Sequence, residues 1–148
     1  MKLFSKSSFV LALTLLFAMV SRGQISMRGT APTLNVTTAV AGSEPTPDID
    51  VGSSVRYSAR VRIAKITVQT ACPNQKFTLT VLATGVTRGV AAPEVTLLDG
   101  MPATDFITSI PTGWGGSAQP TLQYTARPTF SDGTGTDRHT VTYTILAQ

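Results

Sequence analysis

The stretch VRYSARVRI, Val55–Ile63, decides the fold. Val55, Tyr57, Ala59, Val61 and Ile63 fall on one side of an extended chain, and Arg56, Ser58, Arg60 and Arg62 fall on the other. Successive side chains of a strand point to opposite faces, so this two-residue period marks a half-buried β-strand. The apolar parity then moves to Ile66 and Val68. A single strand from Val55 to Thr70 would run about 53 Å at about 3.3 Å per residue, too long for a small sandwich, so a bulge or corner is expected near Ala64 and Lys65. CPNQ, Cys72–Gln75, closes the segment in a turn.

The same alternation recurs outward from this stretch. KFTLTVLA directs Phe77, Leu79 and Val81 inward, while EVTLL and DFITSI read as two short strands. Gly, Pro and Asp clusters in TRGVAAP, DGMPATD and PTGWGGSAQP separate them. Upstream, TLNVTTAV turns Leu34, Val36 and Val40 to one side, and AGSEPTPDIDVGS reads as an irregular connector because of Pro45, Pro47 and Gly52. TLQYTARPTF and DRHTVTYTIL alternate as a closing hairpin, with Leu122, Tyr124, Ala126 and Phe130 meeting Val141, Tyr143 and Ile145. Pro128 lacks a ladder donor and places that strand at an edge. No window beyond residue 24 holds a helical apolar period for three turns. The expectation is an all-β chain, an immunoglobulin-like antiparallel β-sandwich of about seven or eight strands.

The first residues have a different character. Lys2 and Lys6 precede an apolar run from Phe9 to Val20, interrupted only by Thr14, the arrangement of a secretory signal peptide. A helix of that length reaches about 18 Å against a hydrocarbon core of about 30 Å, so a membrane span is not expected. Small residues at Ser21 and Gly23 place the processed start near Gln24. The expected organisation is a signal peptide at 1–23, an N-terminal arm with one strand and a Pro-rich connector at 24–53, and a β-sandwich domain at 54–148.

Removing that leader takes away Lys2, Lys6 and Arg22 and leaves 9 basic against 8 acidic residues. A nearly neutral chain has no general electrostatic drive toward nucleic acid or anionic membrane. Threonine fills 23 of the remaining 125 positions, suiting half-exposed strand faces. Few charges leave a polar surface with little self-repulsion, which favours self-association. The one cysteine, Cys72, excludes an internal disulfide, so burial and hydrogen bonding hold the fold. It reads as a buried, inert thiol.

The chemistry-bearing residues have plain readings first. SDGTGTDRH, Ser131–His139, holds two aspartates, two glycines and the only histidine, but glycines and aspartates here suffice for a turn between strands. Asp132 and Asp137 give only part of a calcium shell, which takes six to eight oxygens. His139 with Cys72 would make a nucleophile and base only if the fold joined them, and neither carries a local catalytic signature. A zinc site from one Cys and one His would need carboxylates to complete it. No catalytic set, metal or cofactor is expected.

Two surface features remain. The row Arg56, Arg60, Arg62 reads first as a solvated strand face that discourages edge pairing, the alternative being a contact for an anionic glycan or another subunit. Trp114, in a glycine-rich loop, folds over the end of the sandwich or stacks on a sugar ring. Asn35 opens an NVT glycosylation sequon, relevant only in a eukaryotic source.

The C-terminal block TLQYTARPTFSDGTGTDRHTVTYTILAQ resembles the closing hairpin of small secreted bacterial β-sandwich subunits of the fimbrial or spore-coat pilin type. The resemblance implies a structural subunit displayed at the bacterial cell surface or polymerised outside the cell. The segment carrying Leu34, Val36 and Val40 is then the candidate donated strand. The alternative is a monomeric secreted carbohydrate-binding or adhesion module.

Overall fold

The computed structural model of the chain describes residues 23–35, 43–60, 62–113, 116–132 and 136–148. Residues 1–22 of the leader expected at 1–23, together with Val36, Val40, Val61 and Trp114, lie outside the described residues. Nine strands are described: β1 (Gly23–Gly29), β2 (Asp48–Ala59), β3 (Ala64–Ala71), β4 (Thr78–Thr84), β5 (Val90–Ala91), β6 (Val95–Leu97), β7 (Thr104–Ile110), β8 (Thr121–Arg127) and β9 (Thr140–Ala147). They form two antiparallel sheets, β1-β2-β8-β4-β6 and β5-β7-β3-β9. Among the described residues no helix is long and apolar enough to cross a membrane.

The sheets pack face to face. Val55, Tyr57, Leu79, Val81, Leu122 and Tyr124 from the first share one buried cluster with Ile66, Val68, Phe106, Ile107, Ile110 and Ile145 from the second. The strand Val55–Ala59 keeps the expected parity, with Val55, Tyr57 and Ala59 buried. Its continuation does not: the strand ends at Ala59, and Ile63, expected inward, is 53% exposed. The physical reason is the break between β2 and β3, where the chain leaves one sheet for the other and the alternation restarts at Ala64, Ile66 and Val68. The expected irregularity at Ala64 and Lys65 is also present, as a register shift between β3 and β7.

Every connection after β2 crosses between the sheets. This overturns the closing hairpin. β8 pairs with β2 and β4, whereas β9 pairs with β3 in the opposite sheet. The inward residues of β8 and β9 do meet, but across the core: the hydroxyls of Tyr124 and Tyr143 lie 2.7 Å apart. Alternation specifies which face is buried and leaves the hydrogen-bonded neighbour open.

Two further differences fall in the N-terminal part. The irregular connector is shorter than expected, because Asp48–Ser53 already belongs to β2. Gly52 is absorbed by a register break between Asp50 and Ser53, where Asp50 Oδ1 accepts the Gly52 N–H at 2.9 Å. Bulges tolerate glycine and re-aim the strand. The arm's strand among the described residues is β1, which starts ten residues before the expected one, while Leu34 stands outside regular structure and packs against the core. Gly29 ends β1 at φ 93°, a conformation in which a side chain would also collide with the Gly52 carbonyl.

Tyr57 shows how polar atoms are accommodated. Its ring is buried and its hydroxyl donates to the Arg88 carbonyl at 2.6 Å. Burial pushes this phenol up to about 12, the Arg88 charge partly opposing, and burial also raises Tyr124 and Tyr143. A folded pKa above the unfolded value near 10 gives stability that is complete below pH 10 and is lost as pH rises through 12. The urea midpoint is therefore expected to fall between pH 10 and 12. Tyr57→Phe should flatten part of that fall and cost about 1 kcal/mol at neutral pH; a midpoint independent of pH over this interval contradicts the assignment.

Candidate functional site

Two regions concentrate polar chemistry. The first is the outer face of β1 and β2. The register sets Gln24 opposite Ser58, Ser26 opposite Arg56 and Arg28 opposite Ser54, so the outward residues of both strands lie side by side. Arg28, Arg56 and Arg60 line one cavity of about 710 Å³ together with Ser58, Ser117 and Gly116. Arg56 Nε donates to Ser117 Oγ at 3.0 Å, which fixes one guanidinium against the loop. Arg62 is exposed and is not part of this lining. Arg28, which alternation in VRYSARVRI does not reach, joins the site through the β1–β2 register. Trp114 lies outside the described residues, but Gly113 and Gly116 on either side of it line the same cavity.

The second region is the corner where β3 ends and β9 begins. Pro73 and Asn74 turn the chain after Cys72: Asn74 takes φ 62°, and the Gln75 N–H donates to the Cys72 carbonyl at 3.0 Å. Proline then a left-handed Asn is the chemistry of a type II turn. The Gln75 side chain fastens this turn to the β6 end, donating to the Phe77 and Leu97 carbonyls and accepting the Asp99 N–H at 2.8 Å. Asp99 Oδ1 in turn accepts the Cys72 N–H at 2.7 Å.

Against this turn lies the second half of SDGTGTDRH. Asp137 Oδ2 accepts the backbone N–H groups of Lys76 and Phe77 at 2.8 and 2.7 Å. His139 Nδ1 sits 3.3 Å from Thr70 Oγ1 at the end of β3. The result is a cluster of Cys72, Asp137 and His139, whose ligand atoms all lie within 4.8 Å of one another. Asp132 is not a member. It closes its own 3-10 turn, Phe130–Asp132, accepting the Thr129 N–H at 2.6 Å.

The stretch is therefore an inter-sheet connection rather than a hairpin turn, and its histidine does reach the cysteine. Its electrostatics disfavour a thiolate: burial, then the Asp137 and Asp99 charges, push the Cys72 thiol up, with only the Arg138 N–H opposing. Burial lowers His139, against the pull of the same two carboxylates. A thiol and a neutral imidazole are the resting forms, the opposite of the charge state an activated nucleophile needs.

Sequence spacing did not reveal Asp99, Gln75 and Thr70 as the groups that orient this cluster. A Pro-Asn turn directly after a strand was the one signal that Cys72 is held rigidly. No family model, curated protein or solved structure matches the chain.

Asp137 is expected to be the more structural of the two aspartates, because it holds two backbone donors from a segment about 60 residues away. Asp137→Ala should lower unfolding free energy by about 2–3 kcal/mol and Asp132→Ala by about 1 or less. Equal urea midpoints for the two variants would show that the clamp contributes nothing.

Proposed function

We propose that the protein is a secreted structural subunit, an immunoglobulin-like sandwich of the pilin-like kind, displayed at the bacterial cell surface and joined to copies of itself through strand addition. One observation carries this reading: β1 is an edge strand loosely committed to its own core. Among the described strands it pairs only with β2, through seven consecutive residues. It turns one side chain, Ile25, against the core, while Met27 stays half-exposed. Eighteen residues, 30–47, separate it from β2, although neighbouring antiparallel strands are usually joined by a handful. Such a connector reaches about 60 Å when extended. The same β1–β2 ladder is then available within one molecule or between two, and concentration decides between them.

The donated element in this reading is β1, followed by Leu34. Val36 and Val40 lie outside the described residues. The positive n-region and apolar h-region within residues 2–20 support export, and the threonine-rich outer faces support close packing of copies.

A second reading, a monomeric carbohydrate-binding or adhesion module, is favoured by the shared cavity of Arg28, Arg56 and Arg60. Guanidinium groups recognise carboxylates and sulfates bidentately, so its ligand would be an anionic glycan.

The two readings separate on a cross-link. Ser26 and Arg56 are direct partners in the β1–β2 register. Oxidising Ser26→Cys/Arg56→Cys protein over a concentration series is expected to give a ladder of covalent multimers, with fibres in negative stain. Monomer with an internal bond at every concentration would sink strand exchange. Binding of a sulfated or uronate polysaccharide by the unsubstituted protein as a monomer, lost in Arg56→Ala/Arg60→Ala, would instead establish the second reading.

A further inference from the structure

We propose that Cys72, Asp137 and His139 form a binding site for one divalent transition-metal ion of the zinc type, tying the end of β3 to the start of β9. The three residues come from two segments about 65 positions apart, and nothing in the turn chemistry of either requires them to converge. Their ligand atoms nevertheless lie within 4.8 Å of one another. Around a tetrahedral ion with bonds of about 2.0–2.3 Å, neighbouring ligand atoms stand about 3.4–3.6 Å apart. Closing the difference takes about 1 Å, within reach of small side-chain rotations.

The donor set selects the ion. One sulfur, one imidazole nitrogen and one carboxylate oxygen suit zinc and its neighbours, whereas calcium and magnesium take shells of oxygen. Each ligand is oriented by a second partner, as metal ligands generally are. Asp137 Oδ2 accepts the Lys76 and Phe77 N–H groups, which fixes the carboxylate at the corner. Cys72 Sγ accepts the Arg138 N–H, a bond that strengthens as the sulfur becomes a thiolate. Thr70 Oγ1 lies 3.3 Å from His139 Nδ1 and 3.5 Å from the Thr140 carbonyl. A hydroxyl that donates to that carbonyl accepts from Nδ1–H, leaving the Nε2 lone pair for the metal.

Charge points the same way. Asp137 and Asp99 both disfavour the thiolate of Cys72, and a divalent cation among them would offset that repulsion. Access is from one side. Asp137 and His139 line the cavity of about 1120 Å³ between the sheets, with Phe77 and Tyr143. Cys72, 1% exposed, lies behind them. Three protein ligands leave a fourth position to solvent from that cavity. Binding replaces the S–H bond with a sulfur–metal bond and releases that proton to solvent, with no change of oxidation state.

Cobalt(II) tests the site directly, because a thiolate ligand gives an intense near-ultraviolet charge-transfer band and four-coordination gives strong visible bands. Untagged, reduced protein titrated with cobalt is expected to show both, saturating at one ion per chain, and zinc should displace them. Calorimetric zinc affinity should fall about 100-fold in Cys72→Ser and in His139→Gln, and stay unchanged in Asp132→Asn. Circular dichroism identifies any variant that has lost the fold, and the unsubstituted protein's cobalt spectrum stands without variants. A spectrum lacking the charge-transfer band, or zinc affinity indifferent to Cys72→Ser, overturns the site.

Discussion

With one cysteine and hence no internal covalent link, the fold depends on the apolar layer sealed between its two sheets, where Tyr57, Val81 and Leu122 of one face lock against Ile66, Phe106 and Ile107 of the other. Each such side chain contributes about 1.5–3 kcal/mol when removed from water. Because the chain changes sheets at every connection after β2, no strand from β3 onward is hydrogen-bonded to the strand before it in sequence. The order of the sheets cannot be assembled piecewise from local hairpins. Even the polar atoms inside obey this geometry: the Tyr124 and Tyr143 hydroxyls satisfy each other across the layer, and the Tyr143 ring lies tilted against Phe106 at 5.4 Å.

That constraint explains what alternation disclosed. The inward residues of β2, β3, β4, β8 and β9 were legible because burying one face imposes a period of two, whatever the neighbour. Strand partners were not, since Tyr124 and Tyr143 produce the same pattern whether they sit side by side or face to face. Ile63 misled for a related reason: it keeps step with Val55 and Tyr57 along the sequence, but the break between β2 and β3 leaves it exposed to solvent. Gly52 and the prolines before it suggested a loop, yet a bulge let β2 begin at Asp48. β1 escaped notice because its glycine ends and single core contact, Ile25, leave almost no periodic signal.

The two polar regions were legible to different degrees for the same reason. Arg56 and Arg60 follow from the outward parity of one strand, and the register then adds Arg28. The Cys72, Asp137 and His139 corner depends on β3 and β9 being neighbours in one sheet. The mistaken hairpin gave β9 to β8 instead, which removed His139 from the vicinity of Cys72. Once β9 is placed beside β3, Ala71 pairs with Thr140 and the residues flanking that pair must meet. Convergence of the thiol and the imidazole is thus a consequence of sheet order rather than of any local motif.

The same neighbourhood bears on how copies would join. β1 and β9 are edges of opposite sheets on one flank, and they touch closely enough that a side chain on Gly23 would come within 2.9 Å of Ile145. Residues 27–35 continue from β1 along the cavity between the sheets, over Tyr124, Val141 and Tyr143. Withdrawing β1 would therefore uncover the β2 edge and one side of the core together. An exchanged strand would have to restore both, and so arrive in the register of the resident one, with Ile25 inward. A one-residue slip would turn Ile25 to solvent and set Gln24 against the core.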